Sequence, residues 1–298
     1  LYEAYSGVFP RAHKTTRARS GLAYTQKLLA RARELGVEIR YRTSAQSIAL
    51  DAAGRVAGLV VQTSDGKTQT LSARSVVLAT GGFGANLSLR SIWAPDIPVD
   101  LGTTYSPGRM NEDPATGDGI RMTLSAGGAV TGMEYILAIP FWGGRMLDYP
   151  GAEIFLTTDG MRFTDETAAW DTVFSDLIAT EFWVVTDSRS VKGATFATKM
   201  QQGLADSAET LEELARKMGV PLKRLERTFR LYNEAARNDM DPEFGRTRFL
   251  QDLSKPPYYF GRERFEVHYT CGGIAVLPDA RVRKGSEFSS EAIPGLYA

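Results

Sequence analysis

Cysteine and histidine are scarce: the 298 residues hold one cysteine, Cys271, and two histidines, His13 and His268. A single thiol excludes an internal disulfide framework and any cysteine-based metal cluster. Two imidazoles leave a zinc or iron centre short of ligands, so no metal is expected. A surplus of either charge is also missing, because 35 acidic and 35 basic side chains cancel. Without net charge or a basic block, there is no footprint for nucleic acid or an anionic membrane surface. No apolar run approaches the roughly 20 residues needed to span a bilayer, and no charged-then-apolar export signal opens the chain. The expected location is cytoplasmic, with an export signal ahead of Leu1 as the alternative. What remains is an ordinary globular composition, 43% apolar and 23% charged, enough for one large domain or two moderate ones.

Hydrophobic periodicity gives the elements. Leu22, Leu28, Leu29, Ala32 and Leu35 recur at helical spacing, Gly36 supplies a left-handed stop, and Val37, Ile39 and Tyr41 alternate as in a strand. Residues 55–63 and 68–78 flank Asp65-Gly66, a pair that accepts positive φ, which predicts a hairpin. Its second arm becomes wholly apolar at Val76-Val77-Leu78-Ala79, as a strand buried on both faces would be. Residues 84–115 are turn-rich and carry no assigned element. A helix is expected from Asp118 to Gly127-Gly128, and a second hairpin from Ile154–Thr157 through Asp159-Gly160 into Arg162-Phe163. Phe182–Val185 reads as a strand. Thr210 with Glu213 forms a capping-box pattern before Leu211, Leu214 and Met218. Pro221 opens another helix to about Asn238, and strands return from Tyr258 to Ile293–Tyr297. There is no internal repeat. The mixture is α+β, a β-rich nucleotide-type domain interrupted by a mixed insert.

Three glycine-bearing stretches could carry chemistry, and each has a plain structural reading beside it. Thr80-Gly81-Gly82 ends an apolar strand, where free N–H groups can face a phosphate or a flavin; alone it is equally a tight turn. Gly117-Asp118-Gly119 puts backbone donors at the positive end of a helix dipole, although Asp118 alone reads as an N-cap. Val267-His268-Tyr269-Thr270-Cys271-Gly272-Gly273 sets a histidine and a tyrosine beside a glycine pair. On a regular strand His268 and Tyr269 point to opposite faces, so only one lies on a given ligand face unless the strand bends. The dinucleotide fingerprint G-x-G-x-x-G is absent, and residues 1–19 are neither strand-like nor glycine-rich.

Taken in order, these stretches resemble the flavoprotein subunits of fumarate reductases, succinate dehydrogenases and related FAD-dependent enoyl and steroid dehydrogenases. The resemblance runs through Arg11-Ala12-His13, Thr43–Ile48, Leu78–Phe83, Gly117–Gly119 and Gly160–Phe163 with Glu166. It continues through Pro256–Tyr259, His268–Gly273 and Ile293–Tyr297. It implies an α+β (α/β) fold in which a partial FAD-binding nucleotide-type domain, residues 1–130 and 259–298, carries an inserted α+β capping domain, residues 131–258. It also implies a dinucleotide fold before Leu1 and an A-G-E motif after Ala298. FAD is the implied cofactor. By matching positions, the Ala45 backbone would contact adenine, Thr80 and Gly81 would line the adenosine side, and Asp118 would belong to the FAD site. His268 and Tyr269 would sit at the flavin–substrate boundary, with His268 polarising the substrate.

The sequence departs from the fumarate-reducing members at two positions. Trp170 stands where those enzymes carry a proton-donating arginine, although Asp171 is retained, and Ile139 stands where a substrate-binding histidine is expected. Neither can make the charge-assisted hydrogen bonds that a small dicarboxylate needs. The resemblance therefore implies hydride transfer between flavin and a carbon next to an electron-withdrawing group, on a bulkier or less charged small molecule, with an electron-transfer partner. A second reading is a catalytically inert flavoprotein fragment or assembly partner that needs further segments to bind FAD.

Overall fold

The computed structural model describes residues 20–105, 112–147, 152–169, 172–173, 175, 181–193, 195–249 and 251–298. Arg11-Ala12-His13, Trp170 and Asp171 lie outside the described residues. The chain opens with α1 (Ser20–Glu34), followed by β1 (Thr43–Leu50), β2 (Val56–Thr63), β3 (Thr68–Ser72) and β4 (Val76–Val77). Next come α2 (Leu87–Trp93), α3 (Asp118–Ser125), β5 (Val130–Thr131), β6 (Ile136–Pro140), β7 (Glu153–Leu156) and β8 (Phe182–Thr186). Then α4 (Phe196–Gln201), β9 (Ala205–Ala208), α5 (Leu211–Met218) and α6 (Leu222–Asn238) lead to β10 (Tyr258–Glu263). Four strands close the sequence: β11 (Phe265–Thr270), β12 (Gly273–Ile274), β13 (Arg281–Arg283) and β14 (Ala292–Tyr297).

The four-stranded sheet β7-β8-β10-β9 is antiparallel throughout, and its strands β7 and β8 are buried on both faces. Strand period sorts its side chains. Ile154, Leu156, Trp183 and Val185 face α5 and α6, against Leu214, Leu225, Phe229 and Tyr232. Phe155, Phe182 and Val184 face the other way, against Phe265, Val267 and Ala138 of the β11–β6 ribbon. Complete burial of Leu214 and Leu225 contributes about 1.5–3 kcal/mol each. Helix α5 begins as the pattern predicts, with Thr210 Oγ1 accepting from the Glu213 N–H. The returning bond goes from the Glu209 N–H to the Glu213 carboxylate. Beneath α6, Glu166 accepts from Arg162 at 2.8 Å and from Arg246 at 2.7 Å, and Asp241 accepts from Arg162 at 2.9 Å. These two cations and two anions are buried together, so their charges balance where water cannot reach them.

The nucleotide-type half is built on narrower, three-stranded sheets. β1, β2 and β3 make an antiparallel sheet whose hairpin turns at Gly66, φ +82°. Past β3 the chain breaks from the hairpin, and β4 pairs in parallel with β14, which β13 flanks. Val56, Val76, Leu78, Met122, Val282 and Leu296 form the core there.

Three expectations need correction. Val37, Ile39 and Tyr41 form no strand and are exposed, because alternation supplies a pattern but not a partner for the backbone ladder. The apolar run at 76–79 is buried on one face only: Val76 and Leu78 are buried while Val77 is 70% exposed. Its sheet is three strands wide and, among the described residues, nothing covers the second face. Residues 84–115 do hold a helix, α2, whose N-cap Asn86 accepts from the Leu89 N–H at 3.1 Å. Its Arg90 is fully buried and donates to the carbonyls of Leu101 and Pro98, fixing the segment that runs beside β11.

Candidate functional site

Strand β11 is irregular where the chemistry is expected. Val267 pairs with Ala138 and Tyr269 with Leu137, so two steps on β11 meet one on β6, and His268 is the extra residue of a β-bulge. A bulge bends the strand and re-aims its side chains. The rings of His268 and Tyr269 lie 5.2 Å apart and both line a cavity of about 520 Å³. The other edge of β11 is held by residues 102–104: the Val267 N–H donates to Gly102 O at 2.9 Å, and the Thr104 N–H to Val267 O at 3.0 Å. Thr104 Oγ1 and His268 Nδ1 share a hydrogen bond of 2.8 Å. That bond occupies one ring nitrogen and leaves Nε2 to face a ligand. Solvent reaches His268 through the cavity mouth, yet partial burial pushes its pKa below the ordinary 6.5, and the Arg145 guanidinium pushes it the same way.

Most of the remaining wall is apolar, including Leu137, Ile139, Met146 and Phe155. Arg145, Glu153 and Glu263 are the charged residues that line it. Arg145 follows a turn at Gly143 (φ +71°) and Gly144 (φ +119°), conformations open to glycine. Lys199 and Glu263 strap that turn. The ammonium donates to the carbonyls of Trp142 and Gly144 and to Glu263 Oε1, while Glu263 Oε2 accepts from the Trp142 N–H at 2.7 Å. Burial drives this pair toward its neutral forms, lowering Lys199 and pushing Glu263 up to about 7 against the pull of Lys199.

A second cavity of about 580 Å³ lies between β1 and α3, bounded by Ser44, Ala45, Gln46, Asp118, Arg121 and Ser125. Ala45 and Asp118, expected in one cofactor site, therefore meet. Asp118 is the first residue of α3, not its cap: Gly117 caps the helix at φ +78°, and Asp118 pairs with Arg121 at 2.5 Å. The Thr80–Phe83 loop runs beside this helix terminus. Thr80 Oγ1 occupies the space that a side chain on Gly119 would need, and the Gly117 N–H donates to Gly82 O at 3.0 Å. Gly81 has φ +74° and open space where a Cβ would stand. The loop ends near the first cavity, where the Phe83 N–H donates to Thr270 Oγ1 at 3.4 Å. The site residues thus fall into two groups, Ala45 with Asp118 and His268 with Tyr269, bridged by Thr80–Phe83. Arg145, Thr104 and Glu263 escaped the sequence reading; the Gly143-Gly144 pair before Arg145 was the one local signal.

A glycine loop at the carboxyl end of a parallel strand, laid against a helix N-terminus, is the arrangement by which α/β folds approach a nucleotide cofactor. The chain belongs to the FAD binding domain family, whose profile matches residues 7–298. An NADH:acrylate oxidoreductase of Vibrio harveyi is 32% identical over 309 residues, covering 97% of this chain and 30% of that protein. Among solved structures, the open conformation of a flavocytochrome c3 fumarate reductase superposes with a TM-score of 0.72 at 25% identity, covering 97% of this chain and 51% of that one. A 3-ketosteroid delta1-dehydrogenase from Sterolibacterium denitrificans gives 0.68 at 25% identity, covering 91% and 55%. The chain thus spans about half or less of the length of these relatives. FAD is the cofactor. The residues present fit its adenosine side: an open cavity beside the β1 backbone, a helix N-terminus, and a left-handed glycine with free space before it.

Proposed function

We propose that this chain supplies the substrate face and the adenosine side of an FAD-dependent oxidoreductase acting on a C–C or C=C bond next to an electron-withdrawing group. The observation that carries the reading is the bulge at His268, which brings an imidazole and a phenol to one side of a largely apolar cavity. FAD supplies the hydride acceptor or donor. His268, oriented by Thr104 and neutral near pH 7, polarises the substrate's electron-withdrawing group, and Tyr269 contacts flavin or substrate. Ala45, Thr80, Gly81 and Asp118 hold the adenosine side. Residues 131–258 form the substrate cap, with β10 completing its sheet. An electron-transfer partner exchanges electrons with the flavin. A relative that acts on acrylate supports an activated alkene as substrate, while Ile139 in the cavity wall argues against a small dicarboxylate. The test is oxidation of the reduced, FAD-loaded protein by a panel of activated alkenes. At least one should reoxidise the flavin, and His268→Ala should slow that step about 100-fold or more with FAD still bound. An inert panel, or an unchanged rate in the variant, rejects the reading.

A further inference from the structure

The Lys199–Glu263 pair is placed unusually for a stabilising contact. Both side chains are buried, and their 2.7 Å ion pair joins α4 to the end of β10. Yet their remaining hydrogen bonds all go to the backbone of one turn: Lys199 to the carbonyls of Trp142 and Gly144, and Glu263 to the N–H of Trp142. The turn is crowded as well as strapped. Side-chain carbons on Gly143 or Gly144 would run into Leu204 and Thr195. Arg145 comes next, its N–H donating to Thr195 Oγ1 at 2.8 Å. The geometry therefore fixes where the Arg145 side chain departs, and it departs along the wall of the cavity that holds His268 and Tyr269.

We propose that Arg145 is the specificity-determining residue of the cavity, holding the single carboxylate or equivalent oxyanion of an otherwise apolar substrate, and that Lys199 and Glu263 are its positioning residues. This rests on the function proposed above and names its substrate class. Among the described residues lining the cavity, Arg145 is the only cation, so the wall provides one anion site and not two. Glu153 borders the same space, and an acidic side chain offers a second carboxylate no countercharge. Leu137, Ile139, Met146 and Phe155 accept an apolar body. Planar, bidentate pairing by a guanidinium would also orient the substrate against His268, whose imidazole already feels the Arg145 charge.

The experiment is calorimetric binding of trans-cinnamate and its neutral amide to the oxidised, FAD-loaded protein, where no electron donor permits turnover. Wild type should bind the acid at least about tenfold more tightly than the amide. Arg145→Gln should abolish that preference while leaving amide affinity within about twofold, and Arg145→Lys should retain part of it. The paired substitution Lys199→Met with Glu263→Leu should cut acid affinity selectively, which a merely structural loss would not do. Equal binding of acid and amide by wild type overturns the proposal without any variant, and so does an acid preference that survives in Arg145→Gln. Turnover is not read here, so an acid preference in a protein that reoxidises with no alkene would reject the proposed function alone.

Discussion

His268 has no partner across the β11–β6 ribbon, while the adjacent Tyr269 pairs with Leu137, and the two rings stand 5.2 Å apart on one cavity. On a regular strand their side chains would diverge to opposite faces. One unpaired residue turns a sequence neighbour into a spatial partner. The adjoining segment then fixes the imidazole through Thr104, itself placed by backbone bonds to Val267 and, further back, by Arg90 of α2.

The first prediction concerns pH. Partial burial, then the charge of Arg145, set the His268 pKa below 6.5. Between that lowered value and 6.5 the unfolded chain binds more protons than the native one. The stability linked to neutral His268 is therefore present above 6.5 and is lost as pH falls through the native pKa. In kcat/KM profiles, the acid limb should have an apparent pKa under 6.5, and Arg145→Gln should shift it upward. A limb centred above 6.5 would contradict the assignment of His268.

The second concerns the buried cluster under α6. Burial alone would raise Glu166, but Arg246 and Arg162 outweigh it and hold the carboxyl below 4.5. Glu166→Gln leaves two buried guanidiniums short of a countercharge and should destabilise the fold by about 3–5 kcal/mol. In wild type the contribution is present above pH 4.5 and lost as pH falls through the native pKa, so the variant should lose less stability on acidification. Urea titrations at pH 7 and pH 4 decide it; a cost under about 1 kcal/mol at pH 7 would show that the cluster does not hold the fold beneath α6.

The third separates cofactor contact from fold. Gly81 has φ +74° and nothing within 4 Å of a Cβ position. Gly81→Ala should cost only the left-handed strain of about 1–2 kcal/mol in the absence of cofactor. If the loop lies against FAD, affinity for the cofactor should fall about tenfold or more, measured by flavin fluorescence. Unchanged affinity would remove Gly81 from the site.

Much of the scaffold was legible because local rules govern it. Gly66 and Gly160 turn hairpins at positive φ, and Thr210 caps α5. Those residue types have few other uses at those positions. The family resemblance grouped the candidate residues Ala45 with Asp118 and His268 with Tyr269. No local rule could do so for the first pair, since Ala45 and Asp118 are 73 positions apart and share a cavity only through the packing of α3 on β1.

The sequence by itself determined the glycine punctuation, the apolar runs of β7 and β8 and the amphipathic faces of α5 and α6, all set by interactions within a few residues. Tertiary structure alone decided that Val77 stays exposed, that Val37–Tyr41 finds no ladder, and that His268 bulges toward Tyr269 beside Arg145. Each of these depends on which distant segment supplies a hydrogen-bond partner or a covering surface. No short window of sequence contains that information.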